Sequence, residues 1–358
     1  MYPHQIERLT EALEREGLAA VIATSAANVF YVTDFKSLGH EILGTEQFAL
    51  WTPRGMALVV PAEDVSLVAS EGIEVDHVGS DVMAALGAIG VRAGRIGLDE
   101  SNLTSAAWER LRAQLGGFTV VPGAAALLAA RRVKSPYEIE CLGRSLGIAE
   151  EALNAMLQML KPGVTEREAA AVYQNEVLKR DAMFYPPSIA LGERTSLSLP
   201  PPTDRALKIG DLVKFDVGVV FKGYCSSVAR TAVMGEPTER QASALEAVQA
   251  GLEAGIDAVK PGATASAVYD AVVSRVRSAG LPSFQRRHVG HAIGLDPRES
   301  PTLQAGETTS LEAGEVIAIE APYLETGWGG VALRDTVLVT TTDSRVLNRS
   351  VRGLIVLD

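Results

Sequence analysis

The sequence predicts an α/β domain over about residues 1–130, followed by a second domain, about residues 131–358, built from two related halves. Three observations predict this. Helix and strand signals alternate through the first third of the chain. A basic segment ending in proline, Arg131-Arg132-Val133-Lys134-Ser135-Pro136, then interrupts the alternation. Beyond it one helix–turn–helix pattern occurs twice, at Leu160-Lys161-Pro162-Gly163-Val164-Thr165 and at Val259-Lys260-Pro261-Gly262-Ala263-Thr264. A length of 358 residues also suits two domains better than one.

In chain order, Ile6, Leu9 and Leu13 recur at helical spacing among charged residues, so residues 6–16 are expected to form an amphipathic helix that Gly17 ends. Leu18 to Ala23 is an apolar run of strand length. Phe48-Ala49-Leu50-Trp51 and Ala57-Leu58-Val59-Val60 flank Pro53-Arg54-Gly55, a hairpin with turn residues at its tip. Arg95 to Asp99 reads as a short strand and Ser105 to Leu115 as a helix. Such alternation implies a mixed sheet covered by helices.

Pro136 suits the first position of a helix, with Glu138 and Glu140 in its first turn, so a long helix is expected from Tyr137 to about Leu160. In each repeat the Lys-Pro-Gly turn ends one helix and Thr165 or Thr264 caps the next, over residues 166–180 and 265–279. A duplication of this kind puts a site between the halves. Two stretches read as strands, Leu212 to Phe221 and Val316 to Glu320. Asp216 and Glu320 interrupt these otherwise apolar runs, and a buried acid is costly unless paired or metal-bound. They are the first functional candidates.

Composition narrows the partners. Hydrophobic residues make up 47% and charged residues 22%, enough for real cores. A net charge of −11 argues against a broad nucleic-acid-binding face. No uncharged apolar run reaches the roughly 18 residues of a membrane span. The polar stretch Met1 to Arg8 lacks a signal-peptide core. The expectation is a cytoplasmic protein with neither nucleic acid nor membrane as partner. Cys141 and Cys225 are two thiols with no disulfide framework around them.

Several motifs together resemble the pita-bread enzymes, which include prolidases, aminopeptidase P, methionine aminopeptidase and creatinase. Lys134-Ser135-Pro136-Tyr137-Glu138-Ile139-Glu140 resembles the opening of the catalytic domain in the Xaa-Pro branch. Gly210-Asp211, Asp216-Val217-Gly218, Gly223-Tyr224 and Arg230-Thr231 resemble the first metal strand pair. Gly290-His291-Ala292-Ile293-Gly294-Leu295 resembles the histidine motif. Glu320, Gly327-Trp328-Gly329-Gly330-Val331 and Asp335-Thr336-Val337-Leu338-Val339 resemble the last metal hairpin. The resemblance implies a creatinase/prolidase-like α/β N-terminal domain, then an α+β pita-bread domain with an internal pseudo-duplication, and a homodimer.

It also implies a site for two divalent metals held by Asp, Asp, His, Glu and Glu. Aligned on the motifs, those positions are Asp216, Ser227, His291, Glu320 and Arg334. The second and fifth are the carboxylates that bridge both metals in the family, and here they are Ser227 and Arg334. Catalytic sites generally keep at least three protein ligands. Asp335 cannot substitute, because neighbouring strand residues point to opposite faces. Arg334 is expected to form charge-assisted hydrogen bonds to Asp216 or Glu320 in place of metal. No metal cofactor is therefore expected. If activity persists, the resemblance implies Mn, Co or Zn.

The family's acid–base histidines are also replaced, by Leu199, Arg298 and Arg287, the last of these beside His288. Leucine transfers no protons and arginine is a poor base. Arg287, Arg298 and Arg334 are expected to line one pocket, either as a binding site for a small carboxylate or peptide ligand or as internal ion pairs with Asp216, Glu299 and Glu320. His291 and Glu320 are the remaining catalytic candidates. Three readings stay open: a metal-free hydrolase-like or ligand-binding homologue, a non-enzymatic protein-interaction member, and a weak Xaa-Pro dipeptidase with one metal at His291 and Glu320. Tyr224 and Trp328 are read as packing residues, and Leu199-Pro200-Pro201-Pro202 as a stiff loop over the site.

Overall fold

The structure, a computed structural model, describes residues 3–358. Met1 and Tyr2 of the polar N-terminal stretch lie outside the described residues. The chain divides into two compact units, Met1–Arg132 and Val133–Asp358.

The first unit is a six-stranded mixed sheet in the spatial order His77–Gly79, Gly55–Val59, Phe48–Thr52, Ala20–Ala23, Arg95–Leu98, Thr119–Pro122. The hairpin closes with Thr52 opposite Gly55, so Pro53 and Arg54 form its tip. Ala20–Ala23 is buried along its whole length, the mark of a central strand covered on both faces. Ile22, Leu50, Leu86 and Leu98 meet in the core. The first helix, Pro3–Glu16, buries Leu9 and Leu13, whereas Ile6 stays 43% exposed. Two short helices, Ala26–Thr33 and Leu38–Leu43, carry no clear periodic signal in the sequence. The first is fixed by caps: Ser25 accepts from the Asn28 amide, and buried Asp99 accepts from Asn28 Nδ2 at 2.7 Å.

The second unit is built around a nine-stranded sheet. Its main path runs Glu299–Gln304, His288–Ala292, Val316–Glu320, Arg334–Val339, Val228–Met234, Leu212–Val217, Ser188–Leu191. Two helix pairs cover it. Pro136–Met159 and Glu166–Leu178 share a core with Phe215, Val217 and Val228. Glu239–Ala258 and Ala265–Ser278 share a core with Ile317, Ile319 and Val337. The long helix starts as its sequence requires, with Pro136 in the first turn and a reciprocal cap between Ser135 and Glu138.

The pseudo-duplication extends to single hydrogen bonds. The Gly163 amide donates to Leu207 O, and the Gly262 amide donates to Leu311 O. Thr165 bridges to Ala206, and Thr264 bridges to Ser310. Gly163 and Gly262 take φ values of 95° and 84°, a region only glycine enters cheaply, which is why the turn repeats with glycine in place.

One predicted strand is broken. Leu212 to Phe221 divides into Leu212–Val217 in the large sheet and Val219–Phe221 in a small three-stranded sheet. The break falls at Gly218, where a Cβ would stand 2.5 Å from Ser226 O. The halves of the large sheet join along Val228–Met234 and Arg334–Val339, whose ladder register is Ala229 opposite Arg334. Side chains reinforce this join: Thr231 Oγ1 donates to Ala332 O and accepts from the Ala332 amide.

Candidate active site

The site is a row across four neighbouring strands. Glu320 lies opposite Arg334, Arg334 opposite Ala229, and Ala229 opposite Asp216. Residues directly opposite in antiparallel pairs share a face, so all four present to one side of the sheet. Ala229 is the small member, and Arg334 extends over it toward Asp216.

The guanidinium uses its fork fully. Nη1 donates to Asp216 Oδ1 at 2.5 Å and to Ser227 Oγ at 2.7 Å. Nε donates to Glu320 Oε2 at 2.9 Å, and Nη2 donates to the same oxygen. Arg334 is only 7% exposed and Glu320 4%. Such buried, charge-assisted contacts far exceed a surface pair in strength. Burial works to raise the Glu320 carboxyl, but the charge and hydrogen bonds of Arg334 outweigh it and hold it at about 2. Burial raises the Asp216 carboxyl, and Arg334 offsets this only in part.

His291 stands beside the row, on the strand next to that of Glu320. Its Nδ1 lies 3.0 Å from Ala292 O. A carbonyl only accepts, so Nδ1 carries the proton and Nε2 is left as an acceptor. Burial, together with the Arg334 charge, pushes this imidazole down to about 4, so it is neutral near pH 7. His288 joins it: the two rings meet edge-on with centroids 6.4 Å apart, and His288 Nδ1 lies 3.4 Å from Glu320 Oε1. Strict alternation would send residues 288 and 291 to opposite faces. A bulge there, with Gly290 at φ 148°, resets the phase. A Cβ on Gly290 would stand 2.1 Å from Ala318 O.

Of the three arginines expected to line one pocket, two do so. Arg334 and Arg298 line a cavity of about 360 Å³ with Tyr185, the loop Leu199–Pro202, Ser227 and His291. Arg287 is exposed and lines neither this cavity nor the smaller one beside it. It lies in the irregular segment just before His288–Ala292, and its neighbours Arg286 and His288 line the smaller cavity instead. Glu299, expected as an ion-pair partner for the site, is turned away. Its buried carboxylate takes Lys134 Nζ at 2.8 Å and the amides of Leu295 and Asp296.

The smaller chamber, about 90 Å³, shares Leu199, Asp216, Arg298 and Arg334 with the larger cavity and is lined also by Lys214, Arg286, His288 and Glu320. Sequence reasoning missed Lys214 and Arg286. Lys214 carried a usable signal, a charged residue two before Asp216 in the same apolar strand and therefore on the same face. It is 2% exposed, and its Nζ donates to Leu197 O and Ser198 O. Burial pulls this ammonium down to about 8.

On the opposite face, Asp335 is fully buried and accepts from Arg230 Nη2 at 2.7 Å and from Arg352 Nε at 2.5 Å. Trp328 packs against Arg240 and Tyr323. Among the described residues, no group of three or more His, Cys, Asp and Glu is placed to hold a metal ion.

Known proteins share this architecture. Metallopeptidase family M24 matches residues 140–341, and the creatinase/prolidase N-terminal domain matches residues 5–133. The chain belongs to metallopeptidase family M24. M24 peptidases normally use divalent metals. The Xaa-Pro dipeptidase of Pyrococcus horikoshii is 26% identical, covering 98% of each chain. An uncharacterized peptidase of Bacillus subtilis, YqhT, is 26% identical over 99% of this chain and 100% of its own. The crystal structure of the Pyrococcus horikoshii prolidase superposes with a TM-score of 0.85 at 26% identity, covering 98% of this chain and 99% of that one. The Bacillus anthracis Xaa-Pro dipeptidase superposes at 0.87 with 24% identity, covering 99% of each chain, a likeness of fold. No helix among the described residues is long and apolar enough to cross a membrane.

Proposed function

We propose that this M24 protein works without the dinuclear metal centre, as a metal-free hydrolase-like or ligand-binding homologue whose arginine-lined pocket takes a small carboxylate-bearing or peptide-like ligand. The observation that carries the reading is Arg334, whose guanidinium takes up Asp216, Ser227 and Glu320 at once. Those are three of the five positions the family uses for metal. The residues present do not fit a pair of divalent cations. Two carboxylates remain and both already neutralise a fixed cation, which would itself repel a metal. Among the described residues, the other ligand-capable group near the row that matches the family pattern is His291, an uncharged imidazole.

The cavity suits an anion with an amide or amine attached. Arg298 stands at its wall as a cation, and His291 offers a neutral acceptor for a ligand N–H. Tyr185 and the proline loop supply apolar walls. Metal analysis of purified protein, paired with hydrolysis of Xaa-Pro dipeptides in added Mn²⁺ or Co²⁺, tests the reading. The expected result is no stoichiometric metal and no turnover. Tight metal with turnover would replace this reading by a single-metal dipeptidase. The family resemblance also supports a cytoplasmic homodimer, to be checked by light scattering and fractionation.

A further inference from the structure

The 90 Å³ chamber beside Arg334 has a charge imbalance that the row does not explain. Four cations, Lys214, Arg286, Arg298 and Arg334, converge on two carboxylates, Asp216 and Glu320. Arg334 alone consumes both carboxylates. Lys214 is held by two backbone carbonyls, which carry no counter-charge. Arg286 has a buried Nε with no hydrogen-bond partner, while its backbone carbonyl is fixed by Tyr269 Oη at 2.7 Å. No ion pair engages Arg286 or Arg298 among the described residues. Gathering like charges in a recess is unfavourable unless an anion joins them.

We propose that Lys214 and Arg286, with Arg298 at the rim, form an anion subsite that takes the carboxylate of the ligand whose remainder lies in the 360 Å³ cavity. This rests on the reading of the site as a ligand pocket, and it adds two residues that the family's metal pattern does not include. Size agrees: the chamber exceeds several-fold the roughly 10–15 Å³ that one water needs, so it admits a carboxylate. Shape agrees as well, because a guanidinium edge matches the two oxygens of a planar carboxylate. A phosphate dianion fits less well, since Asp216 and Glu320 line the same chamber and repel a second negative charge. Arg298, which lines both spaces, stands where the carboxylate would meet the rest of the molecule.

Fluorine NMR tests this with trifluoroacetate as the probe, trifluoroethanol as the uncharged control, and acetate and inorganic phosphate as competitors. The expected result is line broadening of trifluoroacetate by the intact protein, reversed by acetate, with affinity at least tenfold weaker in Arg286→Gln and in Lys214→Met. Arg286 is only half-buried, so its variant is the safer one for folding, and thermal melts of both variants report on that. Broadening no greater than the control, or equal in wild type and Arg286→Gln, overturns the subsite. Displacement by phosphate at lower concentration than acetate overturns the carboxylate assignment. The metal-free reading fails separately, through bound metal or Xaa-Pro turnover, which this titration does not read.

Discussion

Arg334 Nη1 donates to Asp216 Oδ1 at 2.5 Å from a strand that is not its neighbour, crossing over the small side chain of Ala229. The contact ties a residue of the first repeat to one of the second. It sets a fixed cation among positions that the family resemblance assigns to metal.

Removing that cation should be costly. Arg334→Met leaves buried Glu320 and half-buried Asp216 without their cation, and breaking one side of a buried pair typically costs about 3–5 kcal/mol. Urea unfolding should show the free energy of unfolding, extrapolated to water, falling by that amount. A loss below about 1 kcal/mol would mean the carboxylates find water instead.

Rebuilding the metal set should invert the dependence. With Ser227→Asp and Arg334→Glu together, four carboxylates surround His291. The apo double variant should melt below wild type, and Mn²⁺ should recover it. At a hundredfold excess over Kd the gain is about 2.7 kcal/mol. Metal analysis and melts with and without Mn²⁺ decide this, and no response would point to wider remodelling of the pocket.

Acid should weaken the protein in two steps. Burial lowers His291 from 6.5 to about 4, so the unfolded chain takes up this proton first. The His291 contribution is therefore complete above about pH 6.5 and is lost as pH falls toward 4. Glu320 is lowered from 4.5 to about 2, so its contribution is present above 4.5 and is lost as pH falls toward 2. His291→Gln should flatten the upper step only, as read from urea midpoints between pH 7 and 4. An unchanged slope would show that His291 is not held neutral.

The bulge at Gly290 can be probed directly. Gly290→Ala adds a Cβ that would stand 2.1 Å from Ala318 O, at a φ of 148° that side chains rarely adopt. A loss of at least about 2 kcal/mol is expected from strain alone. Histidine NMR should show His288 and His291 leaving their edge-on contact. A variant as stable as wild type, with unshifted histidine signals, would deny the bulge its role.

Much of this was legible in the sequence, for reasons that can be named. Asp216 and Glu320 stood out because acids interrupt buried strands. The repeat was visible because its turns require glycine. Arg334 was expected to bond Asp216 or Glu320, and it bonds both, because strand neighbours place them on either side of it. What escaped depends on backbone phase. Arg287 is exposed and Arg286 lines the chamber because the segment before His288 is irregular, so no period of two fixes which side chain points inward. Lys214 shares one face with Asp216, and its burial depends on carbonyls from the distant Leu197 and Ser198. The break at Gly218 depends on the approach of Ser226 O, a contact no local pattern encodes.

The join between the repeats has a further consequence. Its ladder register is the single pairing of Ala229 with Arg334, and each half of the sheet has its own helix pair and its own apolar core. Two bodies stitched by so short a seam could open independently. The guanidinium acts as a rivet through that seam, so that opening either half exposes a charge belonging to the other. Loss of Arg334 would then be felt first as lost cooperativity, with amide exchange in the two joining strands quickening before either core gives way.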